Sequence, residues 1–166
     1  MLITPEEKPF LALFDNYTQV GEVVWIGIRP ASRKAMEVLS TANVTELGLE
    51  GDRSTKNAPT NKRQVTLVQS EHLEAVASFL NVATVDPALI RRNVVVKGIN
   101  LNALKGRRFT LGTAVLEMTG FCYPCSRMEE NLGKGGFNAM RGHGGITCRV
   151  ISPGNFEIGS AVEVVR

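Results

Sequence analysis

Residues 114–131 read AVLEMTGFCYPCSRMEEN, and they combine a strand pattern, a possible functional cysteine and a helix start. The apolar run 114–118 is typical of a β-strand. Pro124 suits the first turn of a helix and predicts a short helix over residues 125–131. A thiol where a helix begins faces unpaired N–H groups and the positive end of the helix dipole, which favour the reactive thiolate. Although most cysteines are buried packing residues, Cys125 is therefore the leading functional candidate.

The composition is that of an ordinary globular protein. The chain has 166 residues, of which 43% are hydrophobic and 21% charged, so it can bury a core without disulfides or metals. Its formal net charge of +3 does not by itself indicate nucleic-acid binding, but it fits a pocket for a small anion. We expect one domain over residues 19–166 after an arm over residues 1–18. The apolar segment 10–14 of this arm could dock on the body or support a homodimer.

The cysteines and the first residues indicate a reducing compartment. Three cysteines cannot form a complete disulfide framework within one chain. Pro5, Glu6, Glu7 and Lys8 interrupt any signal-peptide pattern, and no apolar run is long enough to span a bilayer. We therefore expect a cytoplasmic protein with reduced thiols and no membrane contact.

Short β-branched or alternating runs dominate the chain and predict a mostly β fold. We expect strands over residues 19–28, 63–68, 94–97, 107–112, 114–119, 146–151 and 161–165. Ser70 is expected to cap a helix over residues 71–80, with His72 solvated, and a short helix is expected over residues 87–91. Strands and helices do not alternate regularly, so a closed or partly closed β-barrel with a few short helices fits best.

Three further segments are less regular. Residues 35–44 suit a strand, but a polar stretch interrupts it. Residues 152–155, SPGN, indicate a turn. Residues 133–145 are rich in glycine and are expected to form a lid or a ligand loop, although no glycine motif has the spacing of a nucleotide-binding loop.

Two polar motifs could hold an anionic ligand. Residues 48–53, GLEGDR, form a loop whose glycines would let the backbone approach a ligand, although a tight turn with solvated charges has the same pattern. Arg91, Arg92 and Asn93 lead directly into a strand. Arginine offers planar, bidentate donors for phosphate or carboxylate, and asparagine both donates and accepts. A surface ion pair with a turn asparagine is the commoner meaning of such residues.

In their order and spacing, these segments resemble the MOSC domain, which is named after the C-terminal domain of molybdenum cofactor sulfurases. The resemblance covers residues 19–166 and is to the small standalone bacterial type. The matching segments are GLEGDR at 48–53, RQVTL at 63–67, RRN at 91–93, LE at 116–117, PC at 124–125, GHGG at 142–145, ITCRV at 146–150 and the last strand after Gly159.

The resemblance implies a MOSC-type barrel that binds the molybdenum cofactor, molybdopterin, with Cys125 carrying sulfur or ligating molybdenum. The pterin phosphate would bind Arg91, Arg92 and Asn93, and the other polar candidates in the matching segments are Asp52, Arg53, Arg63 and Arg149. Family members reduce N-hydroxylated bases and amidoximes, and others act with cofactor sulfurases. The implied activity is reduction of a small N-hydroxylated compound. Its electrons would come from a separate reductase, because the chain has no flavin, haem or iron–sulfur motif.

Three alternatives stay open. Cys125 could carry a persulfide, with Cys122 as a resolving thiol if residues 122–125 form a CxxC turn. Cys122, Cys125, His143 and Cys148 could instead form a structural zinc site, although the spacing of the last two is irregular. Nucleic-acid binding is disfavoured because aromatic residues make up only 6% of the chain.

Overall fold

The computed structural model describes residues 7–166, so the first six residues of the predicted arm lie outside it. Its strands are β1 (Gly21–Ile28), β2 (Glu37–Leu39), β3 (Thr41–Thr45), β4 (Gly48–Leu49), β5 (Val65–Gln69), β6 (Val94–Lys97), β7 (Arg108–Leu111), β8 (Ala114–Phe121), β9 (Ile146–Ser152), β10 (Gly154–Glu157) and β11 (Ala161–Val164). Its α-helices are α1 (Glu7–Ala12), α2 (Ser70–Phe79), α3 (Pro87–Ile90), α4 (Ser126–Leu132) and α5 (Gly136–Met140). Across the described range, no helix combines the length and apolarity that crossing a membrane would require.

Seven strands close into a β-barrel. Around the barrel the order is β1, β11, β7, β8, β9, β5 and β6, and β6 pairs again with β1. The barrel closes where Gly21 and Glu22 of β1 pair with Val162 and Ala161 of β11. β2 extends the sheet beside β1, while β10, β3 and β4 form a separate sheet. The predicted mostly β, closed barrel with a few short helices is confirmed.

Apolar residues of the strands fill the barrel. Val23 and Ile26 of β1, Leu67 of β5, Phe109 of β7 and Leu116 of β8 are fully buried in one cluster. Burying a side chain of this size stabilises the fold by about 1.5–3 kcal/mol. The β-branched and aromatic runs therefore form strands because alternate side chains have a common core to enter.

A second apolar cluster holds the helices that flank the pocket described below. β5 and β6 are parallel neighbours, and α2 and α3 lie between them in sequence. Val68 and Val95 from these strands are buried with Val76 of α2, Met128 of α4 and Met140 of α5. This cluster anchors α4, which begins directly after Cys125.

The predicted turn over residues 152–155 is wrong. β9 extends through Ser152, and β10 begins two residues later. Gly154 and Asn155 are strand residues because they pair with Val44 and Asn43 of β3, which are remote in sequence. A local turn propensity was overridden by this tertiary pairing.

Other boundaries differ by smaller amounts. Residues 35–44 contain the whole of β2 and most of β3, and the break between the two strands lies at Ser40. Gln69 occupies the N-cap position of α2, so Ser70 is its first residue. The helix predicted over residues 125–131 is confirmed as α4, which begins and ends one residue later than predicted. The glycine-rich segment contains a second helix, α5.

The described end of the predicted arm is attached to the barrel. The Tyr17 hydroxyl donates a 2.7 Å hydrogen bond to the carbonyl oxygen of Ala103, and Asp15 forms an ion pair with Arg107. Phe10 and Phe14 pack edge to face but remain 63% and 59% exposed. This apolar segment therefore does not bury these aromatic rings on the body, and its part in a homodimer stays a prediction.

Candidate functional site

A pocket of about 810 Å³ brings most of the predicted site residues together. One wall is the loop between β4 and β5, with Arg53 and Arg63. Another wall is the segment over residues 122–128, which includes Cys125. Arg91 and Arg92, directly before β6, also line the pocket. Segments far apart in sequence thus place a thiol and several guanidinium groups around one space.

β8 and α4 together hold Cys125 at this pocket. β8 ends at Phe121, residues 122–125 continue without a turn, and Cys125 is the N-cap residue of α4. The Cys125 side chain is exposed, whereas Met128 in the same helix is only 1% exposed. The packing of Met128, about one helical turn after Cys125, therefore holds the accessible thiol of Cys125 in position.

The pocket is strongly cationic. In the described chain it is lined by six arginines and by no aspartate or glutamate: Arg29, Arg53, Arg63, Arg91, Arg92 and Arg127. Burial lowers the pKa of Arg91, and repulsion from its neighbours Arg127, Arg29 and Arg53 lowers it further. Guanidinium groups that repel one another across a pocket are stabilised by a bound anion.

Asp52 lies behind the pocket rather than in its lining, and it holds Arg29. Its carboxylate is 1% exposed and accepts hydrogen bonds from the Arg29 side chain, the Arg29 backbone N–H and the Ser54 N–H. Burial raises its pKa, but the hydrogen bonds and charge of Arg29 outweigh burial and lower the pKa to about 2. Asp52 is thus the ionised partner that orients Arg29, a pocket residue that was not predicted from the sequence.

Asn93 also lies outside the lining of the pocket. Its side-chain oxygen accepts from the N–H and hydroxyl groups of Thr66, each at 3.1 Å. Its NH₂ group donates to the Gly27 carbonyl oxygen and to Asp52 at 3.0 Å. Because these partners occupy its amide, Asn93 ties three segments of the barrel together instead of facing a ligand. The direct phosphate contact predicted for it is therefore not supported.

Arg92 joins the cysteine segment to the glycine-rich loop. Its guanidinium donates to the carbonyl oxygens of Gly144 at 2.7 Å, Ile90 at 2.8 Å and Cys122 at 3.4 Å. Burial lowers its pKa, whereas the nearby thiols of Cys122 and Cys125 act in the opposite direction. Arg92 is thus both a structural tie and a source of positive charge in the pocket.

Two glycines allow the glycine-rich loop to pack closely against the cysteine segment. A Cβ atom at Gly144 would collide with the Cys122 carbonyl oxygen, and one at Gly145 would collide with the Leu67 carbonyl oxygen. Gly145 also has a positive φ of 84° and accepts a hydrogen bond from the Cys122 N–H. The glycine-rich loop predicted as a lid therefore packs directly against the cysteine segment at these residues.

Arg149 lies away from the pocket, although the sequence placed it with the cofactor-binding candidates. Its guanidinium forms a 2.8 Å ion pair with Glu117 of β8, which also pairs with Arg108 of β7. Along β9, Cys148 is buried and Arg149 is exposed, as strand alternation requires. Arg149 is therefore part of a charged cluster on the outer surface of the barrel.

The structure does not assemble the alternative zinc site. Cys148 is fully buried in the barrel core, and burial raises its pKa well above the usual value. His143 packs instead against His72 and Phe79. Within residues 7–166, no three His, Cys, Asp or Glu side chains are placed to hold a metal together. Cys122 is also buried, and its Sγ atom lies 3.9 Å from Nη2 of Arg63.

The prediction that His72 is solvated is wrong. Its ring packs edge to face on His143, with 4.8 Å between ring centroids, and its Nδ1 atom is buried without a hydrogen-bond partner in the described chain. Burial lowers its pKa, the charge of His143 lowers it further, and Glu71 opposes both. The partner lies far away in sequence, so the helical pattern of α2 could not reveal this contact.

Comparisons with known proteins agree with this fold. The MOSC domain family model matches residues 54–163, which is more than half of the chain. No curated protein matches the sequence. The structure is similar to the YuaD protein from Bacillus subtilis, with a TM-score of 0.74 and 22% identity over 87% of this chain and 95% of that chain. It is also similar to YiiM from Escherichia coli, with a TM-score of 0.66 and 21% identity over 90% of this chain and 71% of that chain.

The structural similarities support the fold, and the match to the family model identifies the family. The matched residues 54–163 include Arg63, Arg91, Arg92 and Cys125, which the structure brings to one pocket. The chain therefore belongs to the MOSC domain family, which is associated with molybdenum cofactor binding and sulfurase-like functions.

Proposed function

We propose that this protein binds the molybdenum cofactor in the arginine-lined pocket, with Cys125 as the protein ligand to molybdenum. The observation that carries the proposal is an exposed thiol in a pocket lined by six arginines and, in the described chain, by no carboxylate. A thiolate is a soft ligand, and arginine binds phosphate through paired hydrogen bonds. The volume of about 810 Å³ lies within the range of roughly 300–1,000 Å³ of small-molecule and cofactor sites.

The residues present fit both ends of this cofactor. Cys125 would contact the metal, while Arg91 and Arg92, held by backbone carbonyls, would supply positive charge to the pterin phosphate. Asp52 neutralises Arg29 from behind the pocket and Glu130 pairs with Arg127, which leaves Arg53, Arg63, Arg91 and Arg92 to a ligand. Asn57 adds an amide group that can donate to or accept from the pterin ring, whereas the Asn61 amide accepts from the Arg63 N–H and donates to the Arg63 carbonyl oxygen.

The proposed activity is reduction of a small N-hydroxylated compound. When bound, the cofactor would supply the redox chemistry, in which an N–OH group takes up two electrons and two protons to give N–H and water. The electrons would come from a separate reductase. The protein's own residues would hold the cofactor and orient the substrate beside Cys125.

The first test is the molybdenum and pterin content of protein purified without oxygen from a host that makes the cofactor. Cys125→Ala should lose molybdenum. The matched control Cys148→Ala removes a core thiol away from the pocket and should keep it, provided that circular dichroism shows both variants folded. Equal molybdenum in wild type and Cys125→Ala would reject Cys125 as the ligand.

The exposure of Cys125 also suits the sulfur-carrier alternative, in which it holds a persulfide. Mass spectrometry of the anaerobic protein decides between the two functions. An added sulfur atom on Cys125 in protein without molybdenum supports the carrier. An unmodified Cys125 in protein that contains molybdenum supports the cofactor enzyme.

A further inference from the structure

Two half-buried histidines join the glycine-rich loop to α2, away from the lining of the pocket. His72 lies on α2 and His143 lies on the loop, and their rings meet edge to face with 4.8 Å between centroids. The His143 ring also contacts Phe79 of α2, with 5.4 Å between centroids. His143 therefore docks against two side chains of α2, and one of them is a group that ordinarily gains or loses a proton near neutral pH.

The docked pair accommodates His72 in its neutral form. Within residues 7–166, the Nδ1 atoms of both His72 and His143 are buried without a hydrogen-bond partner. In a neutral ring with its proton on Nε2, Nδ1 is a bare acceptor, whereas protonation makes it a buried donor that lacks an acceptor. Protonation also places a positive charge directly against a second imidazole. Burial and the charge of His143 accordingly lower the pKa of His72, and Glu71 opposes them.

Few charged groups lie where they could offset a proton on His72. The elements packed most closely against α2 are β5, β6 and α5, and the loop with His143 follows α5. The other charged side chains of α2, of these elements and of the loop are Glu71, Glu74, Lys97 and Arg141. The Glu71 carboxylate already accepts the Gly98 N–H at 2.7 Å, and Lys97 pairs with Glu22. No ion pair in the described chain therefore stabilises a charged His72.

The residues directly after His143 hold the cysteine segment. The Gly144 carbonyl oxygen accepts from the Arg92 guanidinium at 2.7 Å, and the Gly145 carbonyl oxygen accepts from the Cys122 N–H at 2.8 Å. Because His143, Gly144 and Gly145 are consecutive, the loop cannot move away from α2 without straining these two hydrogen bonds. Release of His143 would thus loosen the wall of the pocket that continues from Cys122.

We propose that the contact between His72 and His143 is a proton-sensitive latch on the cysteine segment. With His72 neutral, the latch is closed and the glycine-rich loop holds the segment against the barrel. With His72 protonated, the loop leaves α2 and frees the segment locally, while the barrel stays folded. Since the closed form lowers the pKa of His72 below 6.5, opening increases as the pH falls below that value. This inference does not depend on which ligand the pocket binds.

Amide hydrogen exchange, followed residue by residue by NMR spectroscopy, measures the opening of single hydrogen bonds in the complete protein. The reporter is the Cys122 N–H, which bonds to Gly145. The reference is the Val23 N–H, which bonds to the Ser160 carbonyl oxygen close to where the barrel closes. Exchange is measured at several pH values from near 7.5 to near 5, with and without about 1 M urea. The rates are corrected for the intrinsic pH dependence of exchange.

In the wild type, the Cys122 bond should open about tenfold more often near pH 5 than near pH 7.5, because one unit of pKa difference is a tenfold change in the equilibrium. Urea should leave this opening unchanged, since a local opening exposes little surface. The Val23 bond should open more rarely and should respond to urea. His72→Phe keeps an aromatic ring against His143 and should remove the pH dependence at Cys122.

Glu71→Gln distinguishes the latch from a merely structural role of His72. This variant keeps an acceptor for the Gly98 N–H but removes the charge that favours a protonated His72. The opening of the Cys122 bond should therefore shift to lower pH. If His72→Phe does not fold, as circular dichroism would show, an unshifted profile in Glu71→Gln rejects the latch by itself.

Three results with the folded proteins would overturn the inference. The first is a Cys122 bond in the wild type that opens equally often at both ends of the pH range. The second is equal opening and equal urea dependence at Cys122 and Val23, because only global unfolding would then expose the segment. The third is a pH dependence at Cys122 that persists unchanged in His72→Phe.

Discussion

The guanidinium of Arg92 donates a 2.7 Å hydrogen bond to the carbonyl oxygen of Gly144, and this bond lies in the buried interior behind the pocket. A second donor of the same group reaches the Cys122 carbonyl oxygen at 3.4 Å. Arg92 thereby joins two segments that the sequence separates by more than twenty residues. The position of Cys125 depends on this tie because Cys125 follows three residues after Cys122.

Replacement of Arg92 by methionine should destabilise the protein. Buried carbonyl oxygens would lose their donor, at a cost of about 1–3 kcal/mol in the free energy of unfolding. Urea denaturation measures this loss. Arg149→Met is the matched control and should cost less than about 1 kcal/mol, because its ion pair is partly exposed. Equal losses in the two variants would show that the buried hydrogen bonds of Arg92 are not important for stability.

Gly144→Ala should be destabilising for a steric reason. The new Cβ atom would collide with the Cys122 carbonyl oxygen, and relief of such overpacking costs about 1–3 kcal/mol. Gly120→Ala is the control, because a Cβ atom there meets its nearest neighbour, Thr147 Oγ1, at 3.7 Å. Thermal unfolding should show a lower midpoint for Gly144→Ala than for Gly120→Ala, and the reverse order would contradict the packing described here.

Acid should unfold the protein partly through Asp52. Its folded-state pKa is about 2, below the ordinary value of 3.8, so the unfolded chain takes up this proton first as the pH falls. The stabilisation is complete above pH 3.8 and is lost towards pH 2, and it amounts to about 2 kcal/mol. Urea denaturation between pH 2 and pH 5, at intervals of about half a unit, measures it. Asp52→Asn should show a shallower slope in this range.

The lowered pKa of His72 predicts a separate loss of stability at a milder pH. Its pKa in the folded protein is below the ordinary 6.5, so the unfolded chain binds the proton more strongly. Stability should therefore be complete above pH 6.5 and fall as the pH drops below it. Comparison of unfolding midpoints near pH 5 and pH 7.5 measures the effect. His72→Phe keeps an aromatic ring against His143 and should reduce the difference between the two midpoints. If the difference is unchanged in this variant, another group causes the loss of stability.

The three thiols should react very differently in the native protein. Cys125 is exposed, while Cys122 and Cys148 are buried, so iodoacetamide should alkylate Cys125 first. The backbone over residues 122–125 has no turn, so Cys122 is not brought back towards Cys125 as a CxxC turn would require. Mass spectrometry after brief oxidation should therefore find no bond between these two cysteines. Its rapid formation would revive Cys122 as a resolving thiol.

The barrel was predictable because its signal is local. β-branched runs alternate between a core and solvent, and the runs around β1, β5 and β8 show this without any knowledge of their neighbours. Cys125 is recognisable from its position at the start of a helix after Pro124, and Arg91 and Arg92 from their position directly before a strand. Arg149 was misplaced although strand alternation past the buried Cys148 could have directed it outward.

Arg29 and the roles of Asp52 and Asn93 could not be derived in this way. Arg29 follows β1, Asp52 follows β4 and Asn93 precedes β6, so their hydrogen bonds exist only after the barrel has formed. The pairing of His72 with His143 has the same origin. Sequence patterns identify polar residues at strand ends, but only the closed barrel decides which face a ligand and which bind each other.

The narrow contact between β1 and β11 has a consequence for the order of events during synthesis. Closure joins the first barrel strand to the last through two residue pairs, so a ribosome-bound chain cannot complete the barrel before β11 has emerged. Such long-range pairing also slows folding compared with helical proteins of similar size. Arg29, directly after β1, is therefore translated early, but the barrel that β1 belongs to closes only when β11 pairs with β1. Loading of a ligand into the pocket is thus expected to follow the emergence of β11 from the ribosome.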